Sequence, residues 1–273
     1  MNEEFHFPRA AGQASEYEQY YVPSVLLYAT PLLLERAAPH TGERVLDVAC
    51  GTGIAARMAA PMVEPRGEVT GLDIDPEMLA VARRSCGNEN ILWKEGRAEN
   101  LPFGSRAFDL VLCQHGLEFM TDRQAALQEM WRVLDRGGRA AICVWQPLAQ
   151  NPVMQMIEET ISRNINQPAS NAARAFSCGD RDEVTAWLIT AGFNQIRIYP
   201  VTHPVSFKDP PRFIQLTLRS RAAAVPVYAN EKTPFRKALY NKIAYEIAWL
   251  VQRFTSNNTL SFNMSANIFV ANR

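Results

Sequence analysis

The stretch RVLDVACGTGIAARMAA, residues 44–60, joins an apolar run to an amphipathic segment through a turn of small residues. The apolar run is typical of a strand buried on both faces, and the segment after the turn has the spacing of a helix. Between them, Gly51 and Gly53 allow the backbone to approach a ligand where a side chain would block it. Because ligands of open α/β sheets bind beyond the carboxyl ends of the strands, we expect a nucleotide at this turn.

A second strand, VTGLDI at residues 69–74, brings an acidic residue to the same edge of the sheet. Asp73 follows the glycines by about 20 residues, where a carboxylate accepts both ribose hydroxyls of an adenosine. A strand-end aspartate on its own is more often the cap of the next helix. Together with the glycine turn, the pattern favours a ribose ligand.

Strand and helix patterns alternate through the first half of the chain. Further strands are predicted at ILWKEG (91–96), AFDLVLCQ (107–114) and RAAICVW (139–145). The segment DPEMLAVARRSC predicts a helix, with Asp75 as its N-cap and Pro76 in its first turn. This alternation predicts an α/β fold with a doubly wound, Rossmann-like sheet covered by helices on both faces.

After Trp145 the order of elements changes. Two helices, one strand, two more helices and a closing strand, TLSFNMSANIFVANR, are predicted in turn. We expect one domain over residues 1–273. Its predicted parts are an N-terminal helical cap (1–40), a cofactor-binding core (41–150), and the remaining sheet (151–273) with a helical lid inserted around 208–256.

Composition excludes several function classes. The 273 residues include 28 basic and 28 acidic side chains, so the formal charge of zero gives no general attraction to nucleic acid or to an anionic membrane. The five cysteines lack the spacing of a disulfide framework or a zinc site. We expect a cytoplasmic protein because we find neither a leader pattern nor an apolar run of about 18 residues. The basic, amphipathic segment 233–254 leaves contact with a membrane or a partner chain, including a second copy, as alternatives to a lid role.

The motifs together resemble those of one enzyme family. VLDVACGTG, VTGLDIDPEMLAVAR, GRAENLPF, FDLVLCQHGLEF and EMWRVLDRGGRAAICVW follow each other as in class I S-adenosylmethionine-dependent methyltransferases. They are most similar to the small-molecule branch that includes the ubiquinone/menaquinone biosynthesis methyltransferases. The resemblance covers residues 40–150 and implies a seven-stranded sheet whose last strand is antiparallel. It also implies methyl transfer from S-adenosylmethionine to an oxygen, nitrogen or carbon atom of a small molecule, leaving S-adenosylhomocysteine.

The resemblance implies a set of cofactor contacts, position by position. Asp47 would hold the amino group of the methionine part, Ile74 would pack on the adenine face, and Ala98 would offer its backbone to the adenine edge. Gln114 would lie beside the methionine end and the reacting methyl group. The complete predicted set is Asp47, Ala49, Gly51, Gly53, Asp73, Ile74, Ala98, Gln114 and Tyr21.

Two positions depart from the family pattern. Ala49 stands where many relatives have the first glycine of the turn, which is a mild change. Arg97 stands where many have an aspartate that binds the adenine amino group, and arginine cannot accept that hydrogen bond. Adenine recognition then depends on backbone groups, or Arg97 points to solvent.

Two other functions remain open at this point. Residues 51–56, GTGIAA, also satisfy the loose Gly-x-Gly-x-x-Ala pattern of NAD(P)-dependent oxidoreductases, although no hydride-site constellation accompanies it. A protein that binds S-adenosylmethionine without catalysis is the other alternative.

The acceptor side is less defined. His115, just after the fourth strand, is the best candidate general base, because imidazole titrates near neutrality, and a structural or substrate-lining histidine is its alternative. His203 and His6 are weaker candidates; the alternative for His203 is an exposed strand residue before Pro204, and the alternative for His6 is part of a mobile tail. Aromatic side chains at the N-terminus, at the end of the fifth strand and in the late insertion are expected to form an apolar lid over the acceptor. The predicted substrate contacts are His115, Tyr17, Trp145 and Phe213, with Phe5, Phe7, Tyr20 and Tyr240 as further members of the lid. No metal site is predicted.

Overall fold

A computed structural model describes residues 13–87, 90–166, 174–222 and 234–273. His6, Phe5 and Phe7 therefore lie outside the described residues. The strands are β1 Arg44–Val48, β2 Glu68–Asp73, β3 Ile91–Glu95, β4 Phe108–Gln114, β5 Leu134–Trp145, β6 Asn194–Phe207, β7 Thr255–Ser256 and β8 Thr259–Asn272. The helices are α1 Gln13–Glu16, a π-helical segment Tyr17–Leu26, α2 Leu27–Ala37, α3 Ile54–Val63, α4 Pro76–Ser85, α5 Arg123–Val133, α6 Pro152–Ile165, α7 Arg181–Ala191, α8 Pro210–Ala222 and α9 Pro234–Val251.

The strands form one sheet in the order β3-β2-β1-β4-β5-β8-β6, with β7 paired to β8. Strands β1 to β5 are parallel, and β8 is antiparallel to both β5 and β6. The doubly wound fold with an antiparallel last strand is confirmed. The described residues hold eight strands and not seven, because Asn257 and Asn258 both have positive φ and close a two-residue hairpin that adds β7.

Both faces of the sheet are buried. Neighbouring residues of β1 show this, because Val45 packs into the core on one face and Leu46 into the core on the other. Helix α3 contributes to the first core and helices α5 and α7 to the second. The central strands read as continuous apolar runs because helices cover them on both sides.

Local signals fix the ends of several helices. The Asp75 carboxylate accepts a 2.8 Å hydrogen bond from the Glu77 N–H, so Asp75 caps α4 as predicted, with Pro76 in the first turn. Pro31 lies inside α2 without ending it. The change in helix type comes earlier, in the π-helical segment that contains Pro23. In the part of the chain that the structure describes, no helix is both long and apolar enough to cross a membrane.

Strands β6 and β8 extend past the rest of the sheet. Trp145, at the end of β5, is level with Ala266 of β8 and Val201 of β6, and six further β6–β8 pairs follow. We call this extension, residues 202–207 with 260–265, the ribbon. Helices α8 and α9 lie in sequence between its two strands, where the helical insertion was predicted.

Candidate functional site

The order of the strands creates a crevice at the carboxyl ends of β1 and β4. The chain runs from β1 outward to β2 and β3 on one side, and from β4 to β5 on the other. Connections after β1 and β4 therefore leave in opposite directions, which opens a ligand site at the strand ends. The predicted glycine turn follows β1 directly and so lies at this crevice.

The turn has an unusual backbone. Ala49, Gly51 and Gly53 all have positive φ, at 56°, 56° and 85°. Left-handed backbone is easy for glycine and costs an alanine about 1–2 kcal/mol. Ala49 thus occupies a backbone conformation suited to glycine, the residue that the family pattern implies at this position.

Gly53 is required for a different reason from the one its sequence pattern indicates. A Cβ on Gly53 would overlap the ring of Trp93 on β3, and a Cβ on Gly71 of β2 would overlap the same ring. The two glycines make room for the indole beneath the turn. Sequence analysis missed Trp93, because the segment ILWKEG predicts a strand but does not reveal which residues its ring contacts.

Asp73 is held against the turn. Its Oδ2 accepts a 2.7 Å hydrogen bond from the Gly51 N–H, and its Oδ1 accepts one of 2.9 Å from the Asp75 N–H. The side chain is buried but remains at the end of β2, on the crevice. A carboxylate fixed in this way joins the ends of β1 and β2 and presents a negative charge at the glycine turn.

Asp47 is the second carboxyl of the crevice and is only 1% exposed. Its Oδ2 accepts a 3.0 Å hydrogen bond from the Ala56 N–H at the start of α3. Burial raises the pKa of Asp47 to about 7; the hydrogen bond opposes this rise and the negative charge of Asp73 adds to it. An approaching cation would favour the ionised form.

Several buried polar atoms near the crevice lack a hydrogen-bond partner among the described residues. Thr52 Oγ1, in the glycine turn, and Gln114 Nε2, at the end of β4, are two of them. The Gln114 orientation is fixed because its Oε1 accepts a 2.9 Å hydrogen bond from the Thr30 hydroxyl. Buried groups of this kind are usually satisfied, so both atoms indicate a polar ligand.

The far side of the crevice is less polar. Ile74 is 43% exposed at the end of β2, whereas Ala98 is buried. Arg97 forms a β-bridge with Asn100 and lies 3.6 Å from the Glu99 carboxylate, with about half its side chain exposed. Of the two readings of Arg97, the structure supports a side chain that points to solvent.

The N-terminal helices cover the glycine turn. Tyr17 Cε1 lies 3.9 Å from the place that a Cβ on Gly51 would take, and Tyr17 stacks on Tyr21 at 5.0 Å between ring centres. An ion pair of 2.8 Å joins Glu18 to Arg57 of α3. Tyr17, predicted to contact the acceptor, therefore lies at the same turn as the predicted cofactor contacts.

His115 lies in an ion pair. Its Nδ1 is 3.6 Å from Oε1 of Glu118, which is fully buried, and its ring stacks on Trp145 at 3.9 Å. Although burial opposes charge on His115, Cys143 and Glu118 raise its pKa to about 10. An imidazole that already carries its proton is a poor base. The geometry supports the structural alternative, in which His115 and Glu118 support the Trp145 ring.

His203 is buried, which excludes the alternative of an exposed strand residue. It lies on the ribbon with 3% of its surface accessible, and its ring centre is 5.8 Å from that of Trp145. Since strand side chains alternate, residues 203, 205 and 207 share one face. Val205 and Phe207 are apolar and buried. The alternation of residues 203, 205 and 207 along the strand was therefore the sequence signal for a buried His203.

Phe213 of α8 packs against the ribbon. Its ring centre lies 4.6 Å from Phe207 and 6.0 Å from Phe262. Tyr240 of α9 is more exposed. The insertion therefore adds aromatic side chains to the same apolar face that carries His203.

Comparisons with known proteins agree with this geometry. Residues 46–142 match the family described as "Methyltransferase domain". The ubiquinone/menaquinone biosynthesis C-methyltransferase UbiE of Ectopseudomonas mendocina is 31% identical over 185 residues, covering 62% of this chain and 72% of that protein. The fold is similar to the YcgJ protein of Bacillus subtilis, with a TM-score of 0.60 at 20% identity over 90% of this chain and 97% of that one. It is also similar to phosphoethanolamine N-methyltransferase 2 of Haemonchus contortus in complex with S-adenosyl-L-methionine, with a TM-score of 0.54 at 20% identity over 90% of this chain and 52% of that one.

Proposed function

Because the chain belongs to the class I S-adenosylmethionine-dependent methyltransferases, we propose that its crevice holds this cofactor beside an apolar or aromatic acceptor. When bound, S-adenosylmethionine supplies an activated methyl group on a positively charged sulfur. The observation that carries the assignment of the site is the bond between the Gly51 N–H and Asp73 Oδ2, 2.7 Å long. It fixes a carboxylate at a glycine turn, in the crevice that the order of strands opens.

Asp73 is the proposed ribose ligand. Each of its oxygens accepts a hydrogen bond from one backbone N–H, which orients the carboxylate at the glycine turn. Backbone anchoring holds the carboxylate before the ligand arrives, so little side-chain freedom is lost on binding. Ala49 and Gly51 keep the turn open beside it.

Asp47 is the proposed partner of the methionine amino group. A buried carboxyl in the field of Asp73 gains most from a cation, because the cation offsets both burial and repulsion. Gln114 Nε2 and Thr52 Oγ1, buried without partners among the described residues, supply polar contacts to the same part of the ligand. These groups fit a ligand that carries an ammonium group, a carboxylate and hydroxyls.

The adenine is proposed to lie on Ile74, with the backbone at Ala98 at its edge. An exposed isoleucine at a strand end offers an apolar surface that a planar base would cover. Arg97 takes no part. Tyr17, Tyr21 and the N-terminal cap of residues 1–40 would cover the cofactor, while residues 151–273 complete the sheet and carry the acceptor lid around 208–256.

The acceptor is proposed to bind beside Trp145, at the crevice and under the lid around 208–256. The lid is aromatic where it meets the ribbon, because Phe213 packs on Phe207 and Phe262. Alignment of the nucleophile with the methyl group supplies much of the rate in such a displacement, so rigid walls matter more than many polar groups. Since the UbiE relative is named for ubiquinone and menaquinone biosynthesis, hydroxylated quinone precursors are the first acceptors to test.

Calorimetric titration with S-adenosylmethionine, S-adenosylhomocysteine and NADH tests the site. We expect both adenosyl compounds to bind, and D73N to weaken them by about tenfold or more, since one anionic acceptor is lost. D75N is the matched control in the same loop, because asparagine caps α4 as well as aspartate does. Binding of NADH in place of the adenosyl compounds would refute the proposal and restore the oxidoreductase alternative.

A further inference from the structure

Helix α9 presents two aromatic rings to solvent. Tyr245 is 75% exposed and Trp249 is 66% exposed, more than any other large apolar side chain in the part of the chain that the structure describes. The two residues are four positions apart, so their side chains are neighbours on one face of the helix. Large apolar side chains that are exposed next to each other indicate an interaction surface.

The opposite face of α9 attaches the helix to the protein. Ile243, Ile247 and Val251 are buried on that side and belong to the first core. Asn241 and Ala248, on the same side as the aromatic pair, are exposed. The aromatic pair is therefore not needed to pack α9 against the rest of the chain.

Positive side chains flank the aromatic pair. Lys242 and Arg253 continue the same stripe, because positions 242, 245, 249 and 253 follow at spacings of three, four and four residues. Glu246 is the one acidic residue between 241 and 253. Its carboxylate lies 3.8 Å from the Lys242 ammonium and 3.4 Å from the guanidinium of Arg163 on α6, and both cationic side chains remain mostly exposed. We call residues 163, 242, 245, 246, 249 and 253 the α9 patch, and its net charge is positive.

We propose that the α9 patch docks the protein on an anionic membrane surface, with α9 lying in the plane of the interface. Tyrosine and tryptophan combine an apolar ring with a polar O–H or N–H, which suits the headgroup level of a bilayer. The basic side chains beside them are attracted to anionic headgroups. This attraction is local to the patch, because the formal charge of the whole chain is zero.

A second copy of the chain fits the α9 patch less well than a membrane does. A two-fold contact places the same patch of both copies together, so the positive charges of one copy would meet those of the other. An anionic bilayer instead compensates these charges while it takes up the aromatic rings. Docking through the α9 patch goes beyond the proposed function, since no contact to the cofactor site enters the argument.

Co-sedimentation with lipid vesicles tests the docking. The probes are vesicles of phosphatidylcholine alone and vesicles of phosphatidylcholine mixed with phosphatidylglycerol, which is anionic. We expect wild-type protein to bind the anionic vesicles more strongly than the neutral ones, and added salt to weaken this binding by screening the exposed charges. Absence of wild-type binding to the anionic vesicles at low salt would overturn the proposal.

Two double variants locate the membrane-binding surface. Y245S/W249S should lower the partition coefficient onto anionic vesicles by about tenfold or more, because the apolar area that enters the interface is lost. L92S/I189S is the matched control and should bind as wild type does, since Leu92 of β3 and Ile189 of α7 are exposed apolar side chains outside the α9 patch. Equal losses in the two variants would overturn the role of the α9 patch.

The charged side chains and the alternative partner are tested separately. K242E/R253E should remove the preference for anionic over neutral vesicles, and S-adenosylmethionine binding should stay as in wild type. A preference that persists in this variant would contradict the role of the positive charges. Sedimentation equilibrium without lipid tests self-association. A dimer that Y245S/W249S converts to a monomer would identify a second copy as the partner and overturn membrane docking.

Discussion

Replacing Asp47 with asparagine tests the electrostatics of the crevice. The pKa of this buried carboxyl rises from 3.8 to about 7 in the folded protein. In the unfolded chain it ionises near its ordinary value, so between the two values the folded state binds more protons than the unfolded state. The free energy of unfolding must therefore fall as the pH rises through this window, and level off above it.

The size of the effect follows from the shift. The interval from pH 5 to the folded pKa is about two pH units, which corresponds to a change of about 3 kcal/mol in the free energy of unfolding. D47N has no proton to lose, and its amide oxygen still accepts the hydrogen bond from the Ala56 N–H. We expect the stability of D47N relative to wild type to rise by about 3 kcal/mol between pH 5 and pH 8.

Urea unfolding of the ligand-free proteins at both pH values measures this change. D109N is the matched control, because the hydrogen bond from Arg44 lowers the pKa of Asp109, so this carboxylate is ionised in both states throughout the window. Its stability relative to wild type should be independent of pH between these values. If D47N behaves like D109N, burial does not hold a proton on Asp47 and the reasoning is refuted.

Three further predictions follow from the site. Binding of S-adenosylmethionine near pH 7 should release about half a proton from Asp47. Calorimetry in two buffers of different ionisation enthalpy measures this release, and D47N should abolish it. A proton release that is unchanged in D47N would contradict the role of Asp47. G71A should lose about 2 kcal/mol or more of unfolding free energy, because the new Cβ overlaps Trp93. G104A is the control and should remain within about 0.5 kcal/mol of wild type, because the space around Gly104 is open. Equal urea midpoints for G71A and G104A would contradict this packing. R97D should bind S-adenosylmethionine about fivefold more tightly than wild type, because the aspartate supplies an acceptor for the adenine amino group. R97A should show no such increase in affinity. If calorimetric titration finds no increase for R97D, this position is excluded as an adenine contact.

The sequence predicts those parts of the fold that depend on local signals. Strands β1 and β4 are apolar runs, and Asp75 with Pro76 forms a helix start that needs no distant contact. The antiparallel place of β8 followed from the family resemblance. The hairpin at Asn257 and Asn258 was missed although two consecutive asparagines are compatible with its turn.

Contacts between distant segments limited the prediction of the site. Asp73 could be predicted because both its strand and the glycine turn carry their own patterns. Trp93 could not, because nothing in its strand indicates that its ring packs against Gly53 and Gly71. His115 was named as a candidate base because imidazole titrates near neutrality, with a structural histidine as the alternative. Its sequence gives no signal that Glu118, three residues later, is buried beside it. His203 was judged alone, when its alternation with Val205 and Phe207 already indicated a buried position.

The place of β8 within the sheet constrains the order in which the molecule assembles during synthesis. Strand β6 is made first, yet its neighbour in the sheet is β8, which also separates it from β5. Strands β1 to β5 can pair as they emerge, whereas β6 has no sheet edge to join until residues 259–272 have been translated. The nascent chain thus completes the proposed cofactor crevice before the proposed acceptor side of the sheet can form.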